Sequence, residues 1–159
     1  MKTFKAVFAA AAIILSALSG TALADDKAKV QVFYDFLSNP GSESHASALK
    51  KVVAEDWQSI GDYSRKIKSR EKFIMQLGGF AKLIPDMNWK VEEILQDGNR
   101  YIVRGRATGT PKGPMFGVDG KGKGFEIMSI DIHTVEDGKI VKTYHVEDWA
   151  GALRQLKAQ

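Results

Sequence analysis

Apolar positions recur at two spacings along the chain, and the change between them divides it into a helical part and a stranded part. Between Lys27 and Leu37, the residues Val30, Phe33, Tyr34 and Leu37 fall three and four apart, the spacing of one buried face of a helix. Asn39-Pro-Gly-Ser breaks it. A second helix is expected from Ser44, whose hydroxyl can cap it, to Val53, with Ala48, Leu49, Val52 and Val53 along one side. Asp56 to Ile60 reads as a short extended piece turned by Gly61-Asp62. Ser69 opens a third helix whose buried face carries Phe73, Ile74, Leu77, Phe80, Ala81 and Ile84, and Pro85 stops it. Gly78-Gly79 inside that helix costs roughly 1 kcal/mol per Gly relative to Ala, which a close backbone approach or a kink would explain.

From Met87 onward the period becomes two. Trp89, Val91 and Glu93 alternate with Lys90 and Glu92, and Asp97-Gly98 makes a turn. Tyr101 and Val103 then face one way while Ile102, Arg104 and Arg106 face the other. Gly105 and Gly109 mark a strand that is crowded on one face or bent. Thr110 to Gly124, rich in Gly and Pro around Met115 and Phe116, reads as a long excursion. Lys123–Val135 and Ile140–Val146 form a hairpin about Asp137-Gly138, and Asp148 caps a last helix with Trp149, Leu153 and Leu156 inward. Helices followed by a four-stranded antiparallel meander and a terminal helix define an α+β fold.

The first residues stand apart from this pattern. Lys2 and Lys5, the uncharged run Ala6–Leu18 and the small-x-small site Ala22-Leu-Ala24 have the layout of a secretory signal peptide, cleaved after Ala24. The apolar run is shorter than the roughly 20 residues of a spanning helix, so no stable membrane insertion is expected. Export to the periplasm or secretion follows, and residues 25–159 form a single domain. Removing Lys2 and Lys5 lowers the net charge from +4 to +2, too little for a nucleic-acid or membrane argument. The densest basic patch, Arg65, Lys66, Lys68 and Arg70, lacks a base-stacking aromatic and reads as a solvated loop. With no Cys, stability rests on packing.

Candidate chemistry gathers on the last hairpin, which carries Asp131, His133 and His145. The three His residues of the chain do not form a metal-binding spacing, and no phosphate loop or nucleophile elbow is present. The expected site therefore uses neither metal nor cofactor.

The segments Pro85-Asp-Met, Val91-Glu-Glu-Ile-Leu, Asp97-Gly-Asn-Arg, Val103-Arg-Gly, Asp137-Gly-Lys-Ile-Val, Asp148-Trp and Leu153-Arg-Gln-Leu carry a resemblance that runs from about Ser69 to Leu156. In their order and spacing they resemble the SnoaL-like polyketide cyclases, or ester cyclases, of the nuclear transport factor 2-like (cystatin-like) superfamily. The resemblance implies an α+β cone, with N-terminal helices packed on a strongly curved, mainly antiparallel sheet around a pocket. It also implies an Asp on the last strand acting as general acid/base with a His on its neighbour. In this chain those positions carry His145 and Asp131, the two residue types exchanged.

Register decides whether the two meet. A two-residue turn at Asp137-Gly138 places them on opposite faces. A three-residue loop with a bulged Gly places Asp131 opposite Thr143 and Ser129 opposite His145, leaving Asp131 and His145 diagonal on one face. The pocket implied by the resemblance favours the second. The other face would then carry Met128, Ile130, Ile132, Ile140, Tyr144 and Val146, an apolar patch that a second copy of the chain is expected to cover. His133 is expected near the strand end, in solvent.

Phe36, Trp57, Phe73, Gln76, Ser129, Asp148 and Trp149 are candidates for ligand contact, with core packing the competing role for the aromatics and helix capping for Asp148. Two functional readings result. One is cofactor-independent acid–base catalysis by His145 and Asp131 on a small hydrophobic carbonyl compound (aldol-type cyclisation, isomerisation or hydrolysis). The other is a non-catalytic periplasmic protein that binds a small hydrophobic ligand, with His145 and Asp131 a satisfied core pair.

Overall fold

The computed structural model describes residues 26–64 and 66–158. The expected signal peptide and Arg65 of the basic patch lie outside them. Helix α1 (residues 26–38) buries the stripe Val30, Phe33, Tyr34 and Leu37, together with Phe36. Helix α2 (Glu43–Val52) is capped by Ser42, not Ser44, and buries Leu49. The chain then enters β1 (Val53–Ile60), so Val53, expected at a helix end, is the first residue of a strand. Helix α3 (Arg70–Leu83) starts at Ser69 as its capping pattern predicts. Four strands follow: β2 (Asn88–Asp97), β3 (Arg100–Gly109), β4 (Phe125–Glu136) and β5 (Lys139–Glu147). Helix α4 (Trp149–Lys157) ends the described chain.

The sheet has five strands in the order β1-β5-β4-β3-β2, not four. The short extended piece is its fifth strand, pairing parallel to β5, while the rest is the expected antiparallel meander. The architecture is an open α+β cone of the nuclear transport factor 2-like type. Its core lies between the helices and the inner face of the sheet, where Tyr101, Val103, Ala107, Ile127 and Val135 are buried. Gly105 is in the crowded part of that face. A Cβ there would stand 2.6 Å from Ser129 Oγ. A close backbone approach does not explain Gly78 and Gly79, since a Cβ at either would meet nothing within 4 Å.

Two bulges reset the antiparallel strands. In β2 the register shifts between Val91 and Glu93, so Ile94 rather than Glu93 returns to the inner side. In the last hairpin the loop is the two-residue turn, with both Asp137 (φ 48°) and Gly138 (φ 70°) left-handed, the turn whose twist matches a hairpin. The extra residue lies inside the strand instead. Val135 pairs with Ile140, but Thr134 already pairs with Lys142, so Val141 has no partner on β4. That single insertion moves every later β5 side chain to the other face. The two-residue turn pairs Ile140 with buried Val135 and so buries it, where the outer face was expected, and the bulge sets Asp131 directly opposite His145 instead of diagonal to it.

Candidate functional site

The inner faces of β4 and β5 form the floor of a cavity of about 160 Å³. Asp131, Thr143, His145 and Glu147 line that floor, Phe73, Gln76 and Phe80 of α3 form one wall, and Trp149 stands at the side. The Gly-rich excursion contributes Phe116. A small hairpin between Met115 and Val118 turns it out, leaving it 62% exposed with its ring centroid 6.4 Å from Phe80 and 6.2 Å from Trp149.

Of the residues singled out in the sequence, His145, Asp131, Phe73, Gln76 and Trp149 line this cavity. Phe36, Trp57, Ser129 and Asp148 do not. Phe36 packs behind Phe73, with centroids 5.9 Å apart. Trp57 is in the core, Ser129 supports Asp131, and Asp148 caps α4 by accepting the Gly151 N–H at 2.7 Å.

The directions of the hydrogen bonds follow from the donors. Tyr34 donates to Asp131 Oδ2 at 2.8 Å, and Ser129 donates to the same oxygen at 3.3 Å. Tyr34 has one hydroxyl proton, so with Asp131 ionised its 3.1 Å bond to His133 must be donated by Nε2–H. A neutral His133 then has a bare Nδ1, which accepts from the Thr143 hydroxyl at 2.9 Å. Thr143 in turn accepts from the Trp57 indole N–H, which can only donate, at 3.0 Å. Five side chains from α1, β1, β4 and β5 thus form one chain of donors ending on Asp131.

His133 is accordingly no strand-end residue in solvent. It has no exposed surface and sits edge-on to Phe33 at 4.9 Å. Burial above all holds its pKa down at about 3, with the charge of His145 acting in the same direction. Burial does the opposite to Asp131, pushing its carboxyl up to about 7; the Tyr34 bond pulls it down, Glu147 pushes it up, and His145 and Ser129 pull it down. The Tyr34 phenol is raised well above its usual value by burial and by Asp131.

His145 has partners other than the one expected. Its Nδ1 lies 2.8 Å from Glu147 Oε1, and its Nε2 lies 3.1 Å from Ser59 Oγ. Opposite a carboxylate, Nδ1 carries the proton and donates, which leaves the Nε2 lone pair of the neutral ring on the Ser59 side. Burial disfavours the charged ring, but the Glu147 hydrogen bond and charge, with Asp131 behind them, outweigh it and raise its pKa above 6.5. Gly61 confines the ring, since a Cβ there would stand 3.0 Å from Cε1. Asp131 Oδ1 takes no hydrogen bond among the described residues and is not sealed off, so it opens on the cavity that Asp131 lines. The site therefore presents one basic nitrogen and one carboxyl with its pKa near neutrality.

Glu147, Ser59, Tyr34 and Lys68 were not singled out as site residues. The signal for Glu147 was present: His145-Val-Glu147 puts both side chains on one face of a strand. Lys68 had been assigned to a solvated loop, yet it lines the cavity. Among the described residues, no group of three or more His, Cys, Asp or Glu could hold a metal ion, and no helix is long and apolar enough to cross a membrane.

The two buried titrations act on stability in opposite senses. Asp131, near 7 in the fold against 3.8 when exposed, adds stability that is complete below pH 3.8 and lost as pH rises through 7. His133, near 3 in the fold against 6.5 when exposed, adds stability that is complete above pH 6.5 and lost as pH falls toward 3. Between about pH 4 and 6.5 the two slopes offset each other. Asp131→Asn removes one of them, so the urea midpoint of that variant should fall relative to wild type as pH is lowered from 6.5 to 4. Parallel profiles would contradict the assignment.

A family profile for the SnoaL-like polyketide cyclases matches residues 28–156. The chain belongs to that family. Solved structures agree on the fold of this SnoaL-like chain. IdmH of Streptomyces antibioticus, a proposed polyketide cyclase, aligns with a TM-score of 0.73 at 23% identity, covering 84% of this chain and 99% of its own. A SnoaL-like protein of Jannaschia sp. CCS1 aligns at 0.72 and 18% identity, covering 86% and 94%. AclR of Streptomyces galilaeus, a proposed hydroxylase, aligns at 0.69 and 21%, covering 84% and 96%. No curated protein matches the sequence. At these identities the neighbours establish the SnoaL-like fold; the chemistry must come from this chain's own cavity.

Proposed function

We propose that this SnoaL-like protein is an exported acid–base enzyme that enolises a small carbonyl compound between His145 and Asp131. The observation that carries the reading is the direct cross-strand pairing of a basic imidazole with a carboxyl near neutral pKa on the floor of one cavity. In the reaction, neutral His145 takes the α-proton through Nε2 and becomes imidazolium held by Glu147. The C–H electron pair forms the C=C bond, the carbonyl electrons move to oxygen, and protonated Asp131 delivers its proton there. Aldol-type cyclisation and isomerisation both begin with this step, and it asks for nothing beyond these side chains. Transfer of the substrate's α-hydrogen to deuterated water tests the proposal. Wild type should speed exchange of a one-ring keto compound, and His145→Ala should remove that acceleration while remaining folded.

The same reading includes export, with Ala24 the last residue removed. Protein recovered from the periplasm or medium should begin at Asp25.

It also includes a homodimer. On the outer face of the sheet Ile130 pairs with Val146 and Ile132 with Tyr144, beside Met128. Met128 is 57% and Val146 65% exposed. Around them Arg104, Arg106, Glu93 and Glu126 make a charged rim, the usual arrangement of a subunit interface. Light scattering at micromolar concentration should give twice the chain mass for wild type and the single mass for Ile130→Glu. A monomeric wild type would rule the dimer out.

A further inference from the structure

The cavity floor is acidic, yet one cation reaches it. Lys68 is the one Lys or Arg among the described residues that line the cavity. Its position is fixed by the backbone: Ser59 N–H donates to Lys68 O at 3.0 Å, and Lys68 N–H donates to Ser59 O at 3.1 Å. Ser69, the next residue, caps α3. Ser59 is also the residue whose hydroxyl lies 3.1 Å from His145 Nε2. Lys68 is therefore pinned beside the basic nitrogen.

Its ammonium lies 5.9 Å from the centroid of the Phe73 ring and, among the described residues, forms no ion pair within 4 Å. On the floor, Glu147 Oε1 is bonded to His145 and Asp131 Oδ2 to Tyr34 and Ser129. Burial lowers the Lys68 pKa, and the more distant charge of Glu147 restores part of it. A half-buried ammonium over an aromatic face, with no ion pair within 4 Å, is left able to take an anionic partner from the cavity it lines.

Size limits what can complete it. A volume of about 160 Å³ is close to that of an apolar cavity that accepts benzene, so the enclosed space holds about one ring or a short acyl chain.

We propose that Lys68 is the anion-binding residue of this cavity, and that the ligand is a small keto acid with one ring or a short chain, its carboxylate paired with Lys68. The inference rests on the enolisation reading and names its substrate class. With the carboxylate held beside Ser59, the carbonyl and the adjacent CH₂ fall toward Asp131 and His145. A neutral polycyclic ligand meets neither the charge nor the size.

Phenylpyruvate and phenylacetone, which differ by the carboxylate, separate the possibilities. Calorimetry should show wild type binding phenylpyruvate about 10- to 100-fold more tightly, the range for one charge-assisted hydrogen bond. Lys68→Met keeps the stem over Phe73; it should erase that preference and leave phenylacetone affinity unchanged. His145→Ala should still prefer the acid, which separates failure of the anion site from failure of the enolisation reading. Equal affinities in wild type, a preference that survives Lys68→Met, or no binding of phenylpyruvate would overturn the proposal.

Discussion

Tyr34→Phe should destabilise the protein by about 3 kcal/mol at pH 8, and by clearly less at pH 5. The substitution removes one oxygen and leaves the ring packing in place, so the loss is polar. Two bonds vanish, the 2.8 Å donation to Asp131 and the 3.1 Å bond from His133. His133 has no exposed surface, so its orphaned N–H finds no water, at a cost of about 1–3 kcal/mol. Loss of a hydrogen bond to an ionised carboxylate costs a similar amount. The pH dependence follows from linkage. The Tyr34 bond holds the Asp131 pKa down against burial, so without it the folded-state value rises further from about 7. Stability lost on ionising Asp131 then grows at high pH, where the carboxylate is charged in the unfolded chain. Urea midpoints for both proteins at pH 5 and pH 8 provide the test. An equal loss at both would mean that the donor chain does not end on Asp131.

Glu147→Gln should reduce α-hydrogen exchange by roughly 10²- to 10⁴-fold, the range for a positioned general base, with little change in stability. Glu147 holds the His145 proton on Nδ1 and raises the ring's pKa. An amide of the same shape carries no charge, leaving burial to lower that pKa. It can also turn its NH₂ group toward Nδ1, which shifts the ring proton to Nε2 and blocks the basic lone pair. A histidine titration followed by NMR should show the His145 midpoint falling below the wild-type value. Glu147 is a positioning residue in this scheme, so an unchanged midpoint together with lost exchange would count against it.

Much of the fold was legible because it depends on local signals. The 3.6-residue stripe of α1, the Ser69 cap, the two-residue alternation after Met87 and the Asp137-Gly138 turn each lie within a few residues of what they specify. β1 was only half visible. Its pairing is parallel to β5, about ninety residues later in the chain, and nothing in Val53–Ile60 states a distant partner.

The site shows the same division. That Asp131 and His145 meet on one face was legible because they share a hairpin, although the route differed. Nothing in Lys139-Ile-Val-Lys-Thr distinguishes a bulge at Val141 from one in the loop, and both bring the two residues to one face. The assignment of Ile140 was the cost of that ambiguity, whereas His133 shares the face of Asp131 in either register and its burial depends on the helices packed over β4. Tyr34 reads as one more apolar position on a helix, and only the tertiary fold brings its hydroxyl to Asp131. Lys68 was hidden in the same way, since its place beside His145 depends on a backbone bridge to Ser59.

The pairing of a base with an acid on one cavity floor is tested most directly by the pH profile of α-hydrogen exchange on phenylpyruvate. Catalysis requires His145 neutral and Asp131 protonated, so the wild-type rate above the buffer reaction should be bell-shaped, falling on the acid side as His145 is protonated and on the alkaline side as Asp131 ionises. Its two limbs belong to the coupled pair. Asp131→Asn should lose the alkaline limb and His145→Ala the enzymatic rate altogether. A wild-type rate that only rises with pH and matches that of His145→Ala would contradict the acid–base role of this site.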